Sequence, residues 1–376
     1  MSTPETVGFA ILGAGMIADY HHQAIVANAD LGARLVAVGH YNPARFGEIS
    51  AWFGVPCVGQ EELLADPAVD VVCICTPSGQ HADQAVAAAS AGKHVLVEKP
   101  MALSLGDADA MIAACDRAGV RLGVTLQRRA TPLFQRIHAA IQAGDLGDLT
   151  LGVVTIPYYR PQAYYGQADW RGTWALDGGG VLMNQGIHLV DLLVWYMGDP
   201  VHVQARAGTL HRDIEVEDTL AATLRFAGGA LATITATTTA APGFPHRMEI
   251  YGTGGAIQVE GESVGRWELA DPAKATVEPP PIETAASAGA GADPRGIAVT
   301  GHIVIFRDFI HALRAGRSPQ IDGTEGRRSL AAVLAIYEAA GLLDQSTTRP
   351  SDQVTTRPPD HPQEDQKSPC LQPPLP

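Results

Sequence analysis

The apolar run Val7–Leu12 enters Gly13-Ala14-Gly15-Met16-Ile17-Ala18 with no intervening loop. A strand that turns through such small residues into a helix lets backbone amides approach a pyrophosphate, and the helix N-terminus favours its negative charge. Similar turns also occur where nothing binds, so the surrounding pattern decides. Residues 16–28 suit a helix and residues 34–38 a second strand, which completes a βαβ unit. The apolar runs 69–75 and 94–97 then flank an Ala-rich helix over 81–91 that Gly92 stops, and a helix over Leu105–Ala118 precedes a strand over 121–126. Short apolar strands alternating with helices predict an α/β domain, a doubly wound parallel sheet covered on both faces.

The pattern changes after Gln127. A helix over 132–143 and longer strands over 149–156, 201–207, 220–226 and 230–239 predict a second domain of α+β type. Gly228-Gly229 and Gly254-Gly255 punctuate hairpins, and the Thr-rich alternation of 230–239 suits a sheet with one face left open. Residues 271–299 are dense in Pro, Ala and Gly and predict a long mobile excursion, a candidate lid. Helices over 302–315 and 327–343 follow, with Gly316 and Gly323 as stops, and the Pro-rich stretch 346–376 has the composition of a disordered tail. The expected division is a nucleotide-binding domain over 1–127, a substrate-binding and oligomerisation domain over 128–345, and the tail over 346–376. A chain of 376 residues exceeds the size at which one core usually stops growing.

A net charge of −14 argues against nucleic acid or an anionic membrane as a partner. Cys57, Cys73, Cys75, Cys115 and Cys370 show no metal-ligand spacing, which suits reduced, mostly buried thiols. With no basic leader and no apolar stretch of transmembrane length, a soluble cytoplasmic protein is expected.

Chemistry concentrates in three places. Thr76 and Pro77 follow the 69–75 strand at the carboxyl edge of the sheet, where open α/β sheets bind ligands; an ordinary strand-to-helix turn is the plainer alternative. Glu98-Lys99-Pro100 follows the 94–97 run at the same edge, although an exposed ion pair is the commoner fate of such residues. If helix spans 182–197, Asn184, His188 and Asp191 share one face, and His188 titrates near neutrality, where a general acid/base works best. A satisfied core histidine on a solvated helix face is the competing reading. A metal site is disfavoured, because Asn is a poor ligand and no second His has suitable spacing.

In their order and spacing, four motifs resemble the glucose-fructose oxidoreductase and inositol dehydrogenase (Gfo/Idh/MocA) family over roughly residues 5 to 343. They are the glycine turn, Thr76-Pro77-Ser78-Gly79-Gln80-His81, the 91–102 stretch through Glu98-Lys99-Pro100, and Gly178-Gly179-Gly180 through His188 to Asp191. The resemblance implies an oxidoreductase moving a hydride between NAD or NADP and a secondary alcohol of a sugar, cyclic polyol or nucleotide sugar. It implies a homo-oligomer, dimer or tetramer, formed through the open sheet. Cofactor contacts are expected from Gly13, Gly15, Met16, Ile17, His40, Arg45, Thr76, Pro77, His81, Glu98, Lys99 and Gln127. Lys99 would stand beside the reacting oxygen and His188 would move the proton, assisted by Asn184.

Asn184 stands where many members carry Asp, so a carboxylate helper is missing. After the second strand the expected ribose-binding acid is replaced by Val38-Gly39-His40-Tyr41-Asn42-Pro43-Ala44-Arg45, which admits NADP alongside NAD. Arg129, at the crossing into the second domain, fits either a ligand contact or a structural ion pair. Tyr165, Trp170 and Arg171 belong to an aromatic and cationic stretch suited to a carbohydrate or to a subunit contact. Two other functions are open: a non-catalytic regulator that senses nucleotide, and an enzyme that recycles a bound nicotinamide for net elimination or hydrolysis.

Overall fold

The computed structural model describes residues 6–281, 291–293, 296 and 298–343. Strands β1 (Val7–Leu12), β2 (Ala33–Gly39), β3 (Cys57–Val58), β4 (Val71–Ile74), β5 (His94–Glu98) and β6 (Leu122–Thr125) form one parallel sheet. Its order, β3-β2-β1-β4-β5-β6, is that of a dinucleotide-binding doubly wound fold. Every residue of β1 and β4 is buried, as expected of strands covered on both faces. The covering helices are α1 (Met16–Ala27), α2 (Phe46–Phe53), α3 (Gln60–Ala65), α4 (His81–Ser90) and α5 (Leu105–Ala118).

The second sheet holds β7 (Leu149–Pro157), β8 (Pro200–Gly208), β9 (Thr219–Phe226), β10 (Leu231–Thr237), β11 (Arg247–Gly252), β12 (Gly255–Glu260) and β13 (Ser263–Leu269) in the order β13-β12-β11-β7-β10-β9-β8. Only the β7–β10 pair is parallel. Side chains along β9 and β10 alternate between buried and exposed or half-buried, so one face is packed and the other open. Helices α6 (Pro132–Gln142), α7 (Gln162–Tyr165) and α8 (Ile187–Met197) belong to this half, and α8 packs on the inner face so closely that a Cβ on Gly152 would meet Met197 Sδ at 2.7 Å.

Helices α9 (Thr300–Ala315) and α10 (Gly323–Ala339) return to the first sheet. Phe306 of α9 stacks on Phe9 of β1 with ring centroids 5.5 Å apart, and burying such a ring contributes roughly 1.5–3 kcal/mol. The Val124 N–H donates to the Ile321 carbonyl at 2.9 Å, just before α10. The C-terminal helices therefore clamp both halves of the molecule.

Three expectations change. Gly323 opens a helix, because the Asp322 carboxylate accepts from the N–H groups of Thr324 and Glu325 and caps α10 there. The expected helix over 182–197 begins as a wide π-turn, Val181–Gly186, before α8 takes over. The described ends of the 271–299 excursion are tethered: Asp145 accepts from the N–H groups of Thr276 and Val277, and the Gly291 carbonyl accepts from Tyr159. Residues 282–290, 294, 295 and 297, and the expected tail over 346–376, lie outside the described residues.

Candidate active site

Leu12 delivers the chain to Gly13, whose φ of +103° and whose approach to the Cys75 carbonyl, 2.7 Å from an ideal Cβ, exclude a side chain. Gly15, at the N-cap of α1, has a different environment. It is exposed, no side chain caps the helix, and a Cβ there would meet nothing within 4 Å. The first amides of α1, at Met16 and Ile17, thus face a clear space beside a helix N-terminus, the environment a pyrophosphate requires. The residues present fit a dinucleotide.

At the end of β2 the His40 ring accepts from the Asn42 N–H at 3.1 Å and lies against the exposed Tyr41, centroids 4.7 Å apart. Arg45 is not a bare cation, since its guanidinium holds Glu48 through bonds of 2.8 and 3.2 Å. A 2′-phosphate would compete with that carboxylate.

Thr76 and Pro77 are partly exposed at the carboxyl edge, with Thr76 Oγ1 donating to Gln84 Oε1 at 2.5 Å. Two expected cofactor contacts are corrected by burial. His81 is 1% exposed, and its ring nitrogens lie 2.8 Å from the Pro100 carbonyl and 2.9 Å from the Thr76 carbonyl. The side chain ties the two ligand-edge turns together and is not available to a ligand. The Glu98 carboxylate likewise turns inward, 2.8 Å from His21 Nε2 and 3.7 Å from His302 Nε2. Burial opposes its ionisation, yet the hydrogen bond to His21 and the nearness of both imidazoles hold it well below the usual carboxylate range.

Ligand atoms of His21, Glu98 and His302 lie within 4.8 Å of one another. Metal-bound imidazoles pass their second N–H to an acceptor, whereas His21 Nδ1 and both His302 nitrogens lack a hydrogen-bond partner. The set fits a buried hydrogen-bonded cluster better than a metal centre.

Lys99, the next residue, is half-buried, and its Nζ donates to the Asn184 carbonyl in the π-turn at 2.8 Å. Burial lowers its pKa, while Glu98 and Asp177 support the charge. His188 follows one turn later. Its Nε2 lies 3.5 Å from the Gln127 amide nitrogen, and the buried Gln127 Oε1 has no partner. Rotating that amide by half a turn would offer the imidazole N–H an acceptor. His188 Nδ1 is unpaired. Burial first, then the cations Lys99 and Arg128, push its pKa well below the usual histidine value, so His188 is a neutral base at pH 7.

The expected polar stripe is broken. Asn184 Nδ2 donates to Asp177 Oδ1 at 2.6 Å, whereas Asp191 is fully buried in an ion pair with Arg129, with Nε bonds of 2.8 and 3.0 Å. Glu325 and Ser329 complete that pair. The wide π-turn rotates Asn184 out of register with α8, and Arg129, open between a ligand contact and a structural ion pair, forms the ion pair.

Arg171 stacks between aromatic faces, its guanidinium carbon 4.4 Å from the Tyr164 centroid and 4.6 Å from that of Trp170. Its Nη1 donates to Tyr164 Oη at 2.5 Å, and Nε has no partner. Tyr165 is buried with its hydroxyl on Thr238, so it packs beneath this wall. Arg160, part of the same aromatic and cationic stretch, lies over Tyr158 and Tyr164, whereas sequence reasoning gave Asp177 no role. The signal for Asp177 was its position directly before three glycines. Gly180 sits so near Glu217 that a Cβ would lie 1.7 Å from its carbonyl oxygen, so the glycines fix how the chain from Asp177 enters the π-turn.

Comparison with known proteins decides the family. Residues 7–126 match the family model described as "Oxidoreductase family, NAD-binding Rossmann fold", and residues 134–258 match the "GFO/IDH/MocA C-terminal domain". Inositol 2-dehydrogenase of Rhizobium meliloti is 31% identical over 70% of this chain and 79% of its own length. The chain belongs to the Gfo/Idh/MocA oxidoreductases. A second relative of this family member, 1,5-anhydro-D-fructose reductase of Ensifer adhaerens, is 33% identical over 74% of this chain and 80% of its own. The crystal structure of the WlbA dehydrogenase from Bordetella pertussis in complex with NADH and UDP-GlcNAcA superimposes with a TM-score of 0.79 at 35% identity, covering 90% of this chain and 97% of that one. This Gfo/Idh/MocA protein is an NAD- or NADP-dependent oxidoreductase of CH–OH groups in sugars, polyols or nucleotide sugars. Among its described residues no helix is long and apolar enough to cross a membrane.

Proposed function

We propose that this oxidoreductase oxidises a ring hydroxyl of a nucleotide-linked sugar that carries a carboxylate. The observation behind this reading is Arg171, a cation stacked on Tyr164 and Trp170, with no carboxylate salt-bridge partner among the described residues. Its charge is felt at both Lys99 and Asp177, so it stands beside the reacting centre. A guanidinium between aromatic faces suits a sugar carboxylate or phosphate better than a neutral polyol. The similarity to a dehydrogenase crystallised with UDP-GlcNAcA supports the same substrate class.

The glycine turn, Thr76 and Pro77 would hold the dinucleotide, which when bound supplies the hydride acceptor. His188 takes the hydroxyl proton as the hydride departs, and its neutral state at pH 7 leaves a ring nitrogen ready to accept it. Lys99 stabilises the charge developing on the oxygen in a cleft where such an interaction is stronger than in water. Asn184 fixes Lys99 through its backbone carbonyl.

A homo-oligomer formed through the open face of the second sheet belongs to the same proposal. That face carries the exposed or half-buried Leu151, Thr235 and Thr237, and the exposed Leu210 borders a recess of about 470 Å³ there. Sedimentation of the purified chain tests it, with a monomer as the opposing result.

The functional test follows reduced-nicotinamide fluorescence with UDP-GlcNAcA, UDP-GlcNAc and myo-inositol, each offered with NAD and with NADP. Turnover should be greatest with the acidic nucleotide sugar, and Arg171→Met should raise its KM selectively. Preference for inositol, or an unchanged KM in that variant, would overturn the substrate assignment. A family member that recycled its nicotinamide would consume substrate without accumulating the reduced form.

A further inference from the structure

We infer that Asp177 is the carboxylate of this active site, a positioning residue and counter-ion that holds Asn184 and Lys99 in place of the acid missing at position 184. The inference rests on the reading of Lys99 as the group beside the reacting oxygen. Three contacts define the arrangement. Asp177 Oδ2 accepts from the Gly172 N–H at 2.9 Å, Oδ1 accepts from Asn184 Nδ2 at 2.6 Å, and the carbonyl of the same Asn184 accepts from Lys99 Nζ at 2.8 Å. Asp177 is 3% exposed, so its carboxylate is removed from water and fixed.

A buried carboxylate with two neutral donors is poorly compensated unless a cation lies near. Lys99 and Arg171 supply that charge, and the attraction is mutual, since Asp177 supports the Lys99 ammonium against its burial. Other charged groups acting on Lys99 are Glu98, which also supports it, and Arg160 and Arg171, which oppose it. Neutral His188, one turn further along, faces the Gln127 amide. The carboxylate stands in the preceding turn, and Asn184 joins it to Lys99, its side-chain amide on Asp177 and its backbone carbonyl on the ammonium. Burial pushes Asp177 up to about 6, so the carboxylate is lost just below neutral pH.

The test uses the full chain and two readouts. Asp177→Asn should lower the pKa of Lys99, measured by the pH dependence of its acetylation with peptide mapping, a readout that needs no substrate. In kcat/KM, the acid limb near pH 6 should disappear in this variant, with a loss on the order of 10- to 100-fold at pH 7.5. The exchanged pair Asp177→Asn with Asn184→Asp restores one carboxylate and one amide across the same contact and should recover most of the activity and the Lys99 pKa. An unchanged Lys99 pKa in Asp177→Asn overturns the inference. If that single variant does not fold, the exchanged pair decides: folded but inactive protein with a displaced Lys99 pKa equally overturns it. Failure of every carbohydrate as substrate would instead sink the functional reading and leave the acetylation result standing.

Discussion

Replacing Gly15 with alanine separates a glycine kept for folding from one kept for a ligand. At Gly15 the backbone has φ −88° and ψ −172°, which any residue adopts, and a Cβ meets nothing within 4 Å. Two small folding effects oppose each other. Alanine is a poorer N-cap than glycine, a cost of about 0.5–1 kcal/mol, while stiffening the unfolded chain stabilises by about 0.4–1 kcal/mol. Stability should therefore change by less than about 1 kcal/mol, or a few degrees in Tm. The methyl group would nonetheless occupy space that a pyrophosphate needs in order to reach the amides of α1. Losing one charge-assisted hydrogen bond costs about 1.5–3 kcal/mol, so Kd for the dinucleotide should rise roughly 10- to 150-fold.

Gly13→Ala serves as the contrast. Its φ of +103° and the 2.7 Å approach to the Cys75 carbonyl make it a folding defect, with strain of about 1–3 kcal/mol before any ligand is added. Calorimetric titration with NADH and ligand-free melting curves of both variants distinguish the two. Wild-type affinity in Gly15→Ala at unchanged Tm would show that no pyrophosphate rests on this turn. A drop in Tm as large as that of Gly13→Ala would show that the open space was misjudged.

Three further outcomes are expected. His188→Ala should lower kcat by about 10²- to 10⁴-fold while the dinucleotide Kd stays within a few-fold; unchanged turnover removes His188 from proton transfer. Arg129→Met leaves Asp191 fully buried without its cation, which should destabilise by about 3–5 kcal/mol in denaturant titrations, and adding Asp191→Leu should recover much of this; a large KM effect at normal stability would return Arg129 to the substrate. Glu217, buried and bonded by Gly180, Leu182 and Tyr337, is pushed by burial up to about 7. The folded state keeps a proton that the unfolded chain releases above about 4.5, so this group's contribution to stability falls as pH rises from 4.5 to 7, by about 3 kcal/mol in all, and is flat beyond. The stability difference between wild type and Glu217→Gln should trace that fall, and a pH-independent difference would refute it.

The nucleotide-binding half was legible because strand and helix periods dominate it: β1 and α5 fall on the residues expected for them, 7–12 and 105–118. Strand β3, only two residues long, carries no such period and was missed. In the second half, local signals misled where long-range contacts decide. Gly323 has the form of a helix stop, yet Asp322 caps a helix beginning there. The spacing of Asn184, His188 and Asp191 predicts one polar face, but Arg129, 62 residues before Asp191, draws the acid into the core. Burial also separates Lys99 from its neighbour Glu98 and His81 from Thr76, a distinction motif spacing does not carry, since adjacent side chains at a strand end point to opposite sides. The family match spans both halves, but Asp177 lies outside the pattern of paired residues and became visible only through its contact with Asn184.

Lys99 and His188 are coupled beyond their separate roles. The ammonium that stabilises the developing alkoxide is also the largest nearby charge lowering the histidine pKa, second only to burial. Removing it with Lys99→Met therefore withdraws stabilisation from the oxygen and at the same time raises the pKa of the base, which places more of His188 in the inactive protonated form at a given pH. The acid limb of kcat/KM near pH 6, set by Asp177, should move upward in Lys99→Met, because the ammonium opposes protonation of Asp177 as well as of His188, and the deficit should be smaller at pH 9 than at pH 7. A purely electrostatic loss at the oxygen predicts the same deficit at both values. A parallel, unshifted profile would mean that the two side chains act independently, and the shared field drawn from their electrostatic coupling would then be wrong.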